Sequence, residues 1–118
     1  MAKPLRVFNR TRNVMLIERG VVAASLWARL RGLLGHAPLR SGEGLLLCGE
    51  KAIHTIGMGF PIDVLFLDRN GRVVHLIPKM VPLRLSPFVP RAVNVLELPA
   101  ETIKRTSTAL GDEIILDF

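Results

Sequence analysis

The four residues Asp68-Arg69-Asn70-Gly71 constrain this chain's fold more than any other stretch, because they stand between two apolar runs, residues 62–68 and 73–77. An Asn-Gly pair in that setting reads as the tight turn of a β-hairpin, with positive φ expected at both Asn70 and Gly71. The first run, Ile-Asp-Val-Leu-Phe-Leu-Asp, is apolar on both faces, as a strand inside a sheet must be. One strongly specified hairpin with an inner strand already requires further strands beside it.

The rest of the chain supplies them. Residues 5–9 and 14–17 flank the polar Arg10-Thr11-Arg12-Asn13 and form a first hairpin; residues 42–48, with Leu45-Leu46-Leu47, form a buried strand; residues 92–98 form another, and residues 113–118 close the chain with alternating acidic and apolar side chains. Residues 23–34 space Ala24, Leu26, Trp27, Leu30, Leu33 and Leu34 as an apolar stripe on a helix that Gly35 stops. Residues 100–110 have helical composition, with Gly111 as the stop. Between these, Pro78, Pro82, Pro87 and Pro90 break residues 79–91, where each proline removes an amide donor, so this segment is expected to be a surface excursion.

A length of 118 residues with 49% hydrophobic residues supports one domain over residues 1–118 with a substantial core. The expected fold class is mainly β, a compact barrel or sandwich-like single domain with one or two short helices. The most apolar stretch carries Arg29 and Arg31 near its centre, so no transmembrane segment is expected, and the N-terminus lacks a secretory signal pattern. With Cys48 as the single cysteine there is no internal disulfide, and a cytoplasmic location is the expectation. Sixteen Lys and Arg against ten Asp and Glu give +6, and residues 1–40 hold eight basic side chains with Glu18 as their one acid. That basic N-terminal half could attract an anionic surface or nucleic acid, but a solvated surface is the preferred reading, since neither a basic run nor a recognised module accompanies the charge and 5% aromatic residues supply few stacking platforms for bases.

The order of these segments resembles the domain of unknown function 192 family, an uncharacterised bacterial and archaeal family. The resemblance covers nearly the whole chain: Asn9 and Thr11, then Arg29-Leu30-Arg31-Gly32-Leu33-Leu34-Gly35, Gly42-Glu43-Gly44-Leu45, Ile53-His54-Thr55 with Met58, Pro61-Ile62-Asp63-Val64, Phe66-Leu67-Asp68, Val95-Leu96-Glu97-Leu98-Pro99 and Gly111-Asp112. What it implies is a compact β-rich fold carrying a short helix. It brings no established reaction.

Chemistry-bearing residues concentrate in the loop from His54 to Asp63. Asp63 lies in a strand whose neighbours all want burial, so its carboxylate needs donors, and His54, Thr55 or loop amides are the expected ones. It is either a poised acid-base or ligand-binding group, or a structural acceptor tying residues 57–61 to the sheet. His54 and Thr55 stand between Ala52-Ile53 and a Gly-containing loop, where a strand end holds side chains at a cleft. The expected ligand- or partner-binding residues are therefore His54, Thr55, Met58 and Asp63, in a small binding or accessory domain. A hydrolase or thiol-dependent enzyme using Cys48 or a His54-Asp63 pair is the alternative, and nucleic-acid or anionic-surface binding through the N-terminal half is a third. No cofactor or metal is expected: Cys48, His54 and Met58 lack a diagnostic ligand spacing, and Gly35, Gly42 and Gly44 lack the spacing and lysine of a phosphate loop and are explained by turns. His36 and His75 have no partner nearby in sequence and receive no role. Arg29, among leucines, needs an acid such as Glu43 or Glu97, either to dock its helix or to present an anion site.

Overall fold

The computed structural model describes residues 4–23 and 39–118. The expected helix at residues 23–34, and with it Arg29, Gly35 and His36, lies outside these, except that Ala23 ends a strand. The elements run β1 (Pro4–Asn9), β2 (Val14–Ala23), β3 (Glu43–Cys48), β4 (Ile62–Leu67), β5 (Val73–Met80), β6 (Asn94–Pro99), α1 (Thr102–Thr106) and β7 (Ile114–Asp117). Among the described residues the strands form one seven-stranded sheet in the order β5-β4-β6-β3-β2-β1-β7. Every pairing is antiparallel except β2 with β3, the pair joined by a long crossover.

The sheet curls into a half-barrel. Its two outer strands meet at one end, where Arg72 and Glu113 bridge and the Val73 and Ile114 amides donate to Asp112 and Gly71 carbonyls at 3.0 and 2.8 Å. Alternation along β3, β4 and β6 then sends side chains into two cores. Leu45, Leu47, Ile62, Val64, Phe66 and Val95 face one, completed by Ile53, Met58 and Phe60 from the loop before β4. Leu46, Leu65, Leu67, Leu96 and Leu98 face the other, enclosed by Leu5, Val7, Leu16, Ile17 and Ile103.

Both expected hairpins form. The Asn-Gly turn differs in type: Gly71 takes φ 78° while Asn70 does not enter the left-handed region. Asp68 explains the difference, since its carbonyl accepts from Gly71 and its Oδ1 accepts from the Asn70 and Arg72 amides at 2.9 Å each, which closes a longer turn around the aspartate. Gly44 is not a turn glycine. It lies in β3 with ordinary φ, and a Cβ there would sit 2.9 Å from the Glu97 carbonyl and against the Ile17 side chain, so close packing demands it.

Two further expectations are corrected. The proline excursion begins after Met80, because β5 runs on through Pro78 as an outer strand that needs no donor there, with a register shift opposite Asp63. The helix expected over residues 100–110 shrinks to α1: Ser107 turns left-handed at φ 58°, and Thr106 and Thr108 put their hydroxyls into a buried contact of 2.7 Å.

Candidate functional site

Residues 51–55 and 81–91 pair across the mouth of the first core to make a double flap. Ile53 and Ser86 exchange bonds, the Ile53 amide donating to Ser86 Oγ and the Ser86 amide to the Ile53 carbonyl, both at 2.9 Å. Val89 donates to the Lys51 carbonyl at 2.8 Å, and Lys51 Nζ donates to the Pro90 and Ala92 carbonyls at 2.8 and 2.6 Å. Thr55, fully buried, is the pin: its amide donates to the Arg84 carbonyl, its hydroxyl donates to the Val81 carbonyl at 2.7 Å, and the Arg84 amide donates back to that hydroxyl at 2.9 Å. The underside is apolar, with Ile53, Met58 and Phe60 buried and Val89 packed beside them.

The outer side is apolar as well. Of the large hydrophobic side chains exposed among the described residues, Ile56, Val81, Leu83, Leu85 and Phe88 all project from this flap region, with Leu85 at 74% and Phe88 at 68% exposure. The prolines and the backbone bonds hold them there. An open groove of about 490 Å³ runs beside them, lined by residues 75–80 of β5 and by Val81, Arg84, Leu85 and Pro87.

Asp63 serves another place. Ile62 and Val64 face the first core, so Asp63 points through the sheet toward α1. Its Oδ1 accepts from the Lys79 amide at 2.9 Å and the Glu101 amide at 3.3 Å, and its Oδ2 from the Ile103 amide at 2.7 Å. The acceptor reading thus finds partners other than residues 57–61: the carboxylate holds the β5 irregularity and caps α1, whose own Glu101 makes no side-chain cap. A cavity of about 340 Å³ opens beside it, rimmed by Lys79, Glu101 and Lys104. There Lys79 and Glu101 pair, and their shared hydrogen bond raises the lysine above its ordinary range and lowers the glutamate below its own.

The four expected site residues therefore divide. His54 is half-buried in the flap, bridged to Leu85, with its Nδ1 accepting from the Ile56 amide at 3.2 Å. Thr55 and Met58 are buried beneath it, and Asp63 faces the opposite side of β4. Cys48 is exposed at the end of β3 beside Asn94. Among the described residues no three His, Cys, Asp or Glu side chains gather to hold a metal ion. Glu43 accepts from the Arg40 amide at 2.7 Å, and Glu97 is buried on β6. His75, given no role above, lies on the groove with its ring 5.4 Å from that of Phe66. Sequence reading missed Arg84, Leu85 and Phe88. The available signal was an excursion rich in prolines yet also in leucine, valine and phenylalanine, where a solvated loop would be polar.

A second polar cluster is structural. Asn9, fully buried, donates to Thr108 Oγ1 at 3.1 Å and to Asp112 Oδ2 at 3.0 Å, and Arg12 Nε donates to the same oxygen at 3.0 Å. Burial pushes the Asp112 carboxyl up, but the bonds from Arg12, Asn9 and the Ala109 amide outweigh it and hold it below the ordinary aspartate range.

The family model for domain of unknown function 192 (DUF192, uncharacterized ACR) matches residues 9–116. Two solved structures share the fold. A protein of unknown function from Novosphingobium aromaticivorans DSM 12444 superposes with a TM-score of 0.78 at 19% identity, over 97% of this chain and 84% of that one. A putative transcription regulator from Sinorhizobium meliloti 1021 superposes with a TM-score of 0.77 at 21% identity, over 98% and 93%. No curated protein matches significantly, and no helix among the described residues is long and apolar enough to cross a membrane.

Proposed function

The chain belongs to the DUF192 family, whose description carries no activity, and on this footing we propose that it is a small accessory module that docks a partner protein through the flap around the His54 to Asp63 loop. The observation that carries the reading is the exposed apolar set Ile56, Val81, Leu83, Leu85 and Phe88, on a flap pinned by the bonds of Ile53, Thr55, Ser86 and Val89. Clustered apolar side chains on a rigid support are what an interface core needs, whereas scattered ones carry no such meaning. His54 belongs to the contact surface in this reading; Thr55, Met58 and Asp63 hold it in place. The single exposed thiol fits work in the cytoplasm.

The test is selection of binders from a random-peptide display library on the immobilised domain, followed by anisotropy with synthetic copies of the hits. Selected peptides should lose at least about tenfold in affinity on the Leu85→Ser/Phe88→Ser double variant, with the melting temperature unchanged, and lose affinity on His54→Ala. Hits indifferent to both variants, or a library that yields none, overturn the reading.

A further inference from the structure

The groove beside the flap has a feature that narrows the partner's chemistry. Six consecutive residues of β5, 75–80, line it. Side chains alternate along a strand, so one face could supply only every second residue; six in a row means that the floor of the groove is the backbone edge of the strand. β5 ends the sheet order, and beyond Val73, which bonds to residues 111 and 112 at the seam, it pairs among the described residues with β4 alone. Pro78 has no amide to give the ladder and so takes an outward position, and alternation from there along the unshifted register makes Val64–Ile77 and Phe66–His75 the bonded pairs. Leu76, opposite Leu65 between them, therefore turns its N–H and C=O outward along the groove, where no described residue bonds to them.

Resting on the docking role argued above, we infer that this groove receives an extended, acidic segment of the partner protein, which adds to β5 as a further strand. Main-chain bonds to Leu76 supply affinity, and flanking side chains supply selectivity. The charge on the groove chooses the sign. Arg84 and His75 line it, together with Lys79, whose ammonium is already paired with Glu101, and among the described residues no acidic side chain does, on a chain that carries +6 overall. A second copy of this chain would bring the same cations to the same edge, so self-pairing is opposed by like charge. Pro78 and the register shift at Lys79 end the ladder, which restricts the added strand to a few residues before the segment passes on to Val81 and Leu85.

The test uses the full chain and a labelled, end-capped peptide of about eight residues alternating valine and glutamate, long enough to span the groove. Its counterpart alternates valine and lysine, and a third peptide carries N-methyl groups on alternate amides. The glutamate peptide should bind at least about tenfold more tightly than the lysine peptide and weaken as salt rises. N-methylation should remove at least about tenfold of that affinity. Arg84→Glu should invert the charge preference. Leu76→Pro should abolish binding while circular dichroism reports a folded domain whose melt is lowered by the loss of Leu76 packing on the second core, since the amide it deletes makes no bond within the sheet; if that variant unfolds, the N-methyl peptide decides alone. Equal binding of the two charged peptides, or indifference to N-methylation, overturns the inference, as does a dimer in solution that Leu76→Pro converts to monomer. Library peptides that require Leu85 and Phe88 but ignore charge and N-methylation would keep the docking role and remove strand addition; failure of every peptide removes both.

Discussion

Replacing Asp63 by asparagine changes one atom for another of similar size and tests the chief tie between β4, β5 and α1. The wild-type carboxylate accepts three backbone amides, at 2.9 and 3.3 Å on one oxygen and 2.7 Å on the other, in a fully buried position. Asparagine keeps one acceptor and turns an NH2 toward amides that are themselves donors. Whichever way it flips, at least one charge-assisted bond is lost and one buried N–H is stranded. The lost bond and the stranded N–H are one loss of about 1.5–3 kcal/mol, so with two donors left facing each other the variant should lose ~3 kcal/mol, and Asp63→Ala, which strands all three amides, ~5 kcal/mol. That is a large share of the ~5–15 kcal/mol that holds a domain of this kind together. Urea unfolding with an unchanged slope measures the loss, and amide exchange at Lys79 and Ile103 localises it. An asparagine variant within about 0.5 kcal/mol of wild type, or unaltered protection at those two amides, would refute the clamp.

Gly71→Ala should destabilise by about 2–3 kcal/mol, because the left-handed backbone at φ 78° disfavours a Cβ and that Cβ would lie 2.7 Å from the Ile114 carbonyl in the seam between the outer strands; a variant that melts with wild type would show that the seam yields freely. Asp112 should contribute to the acid limb of stability. Its carboxyl is held low in the folded state, so its contribution is complete above the unfolded value near pH ~3.9 and is lost as pH falls through the lower folded value. Asp112→Asn should flatten the stability profile below about pH 4, and a profile of unchanged steepness would assign the acid limb elsewhere.

Local rules carried the strands whose signals were complete within a few residues. Leu45-Leu46-Leu47 is buried throughout, the polar Arg10 to Asn13 joins β1 to β2, and Asn70-Gly71 closes a hairpin. The turn type escaped because Asp68 competes for the same amides through its side chain, a choice that Asn-Gly alone does not determine. The extent of β5 escaped because a proline's meaning depends on whether its strand is inner or outer, which is a property of the whole sheet. Asp63 could be read as a carboxylate in need of donors, but those donors come from residues 79, 101 and 103 and are brought near only by the register of β4 with β5 and β6. The concentration of unusual residues between His54 and Asp63 was legible; their division between the two faces of β4 was not.

That division explains how one short segment can be both well anchored and available. From Lys79, at the register shift near the end of β5, to Arg84 beyond it, the chain is held from both sides as it leaves the sheet. Asp63 fixes the Lys79 amide through the sheet, Met80 is buried in the first core, and Thr55 fixes the Val81 carbonyl and the Arg84 amide from the flap. Lys79 and Leu83 adopt left-handed backbones at φ 50° and 63°, conformations of non-glycine residues that persist only where the surroundings determine them. A segment so constrained loses little conformational entropy when something docks on it, and the ordering cost of association falls with it. Buried Thr55 and Asp63 thus act on the exposed Leu85 and Phe88 through the backbone they hold, and loosening either should weaken docking before it unfolds the domain.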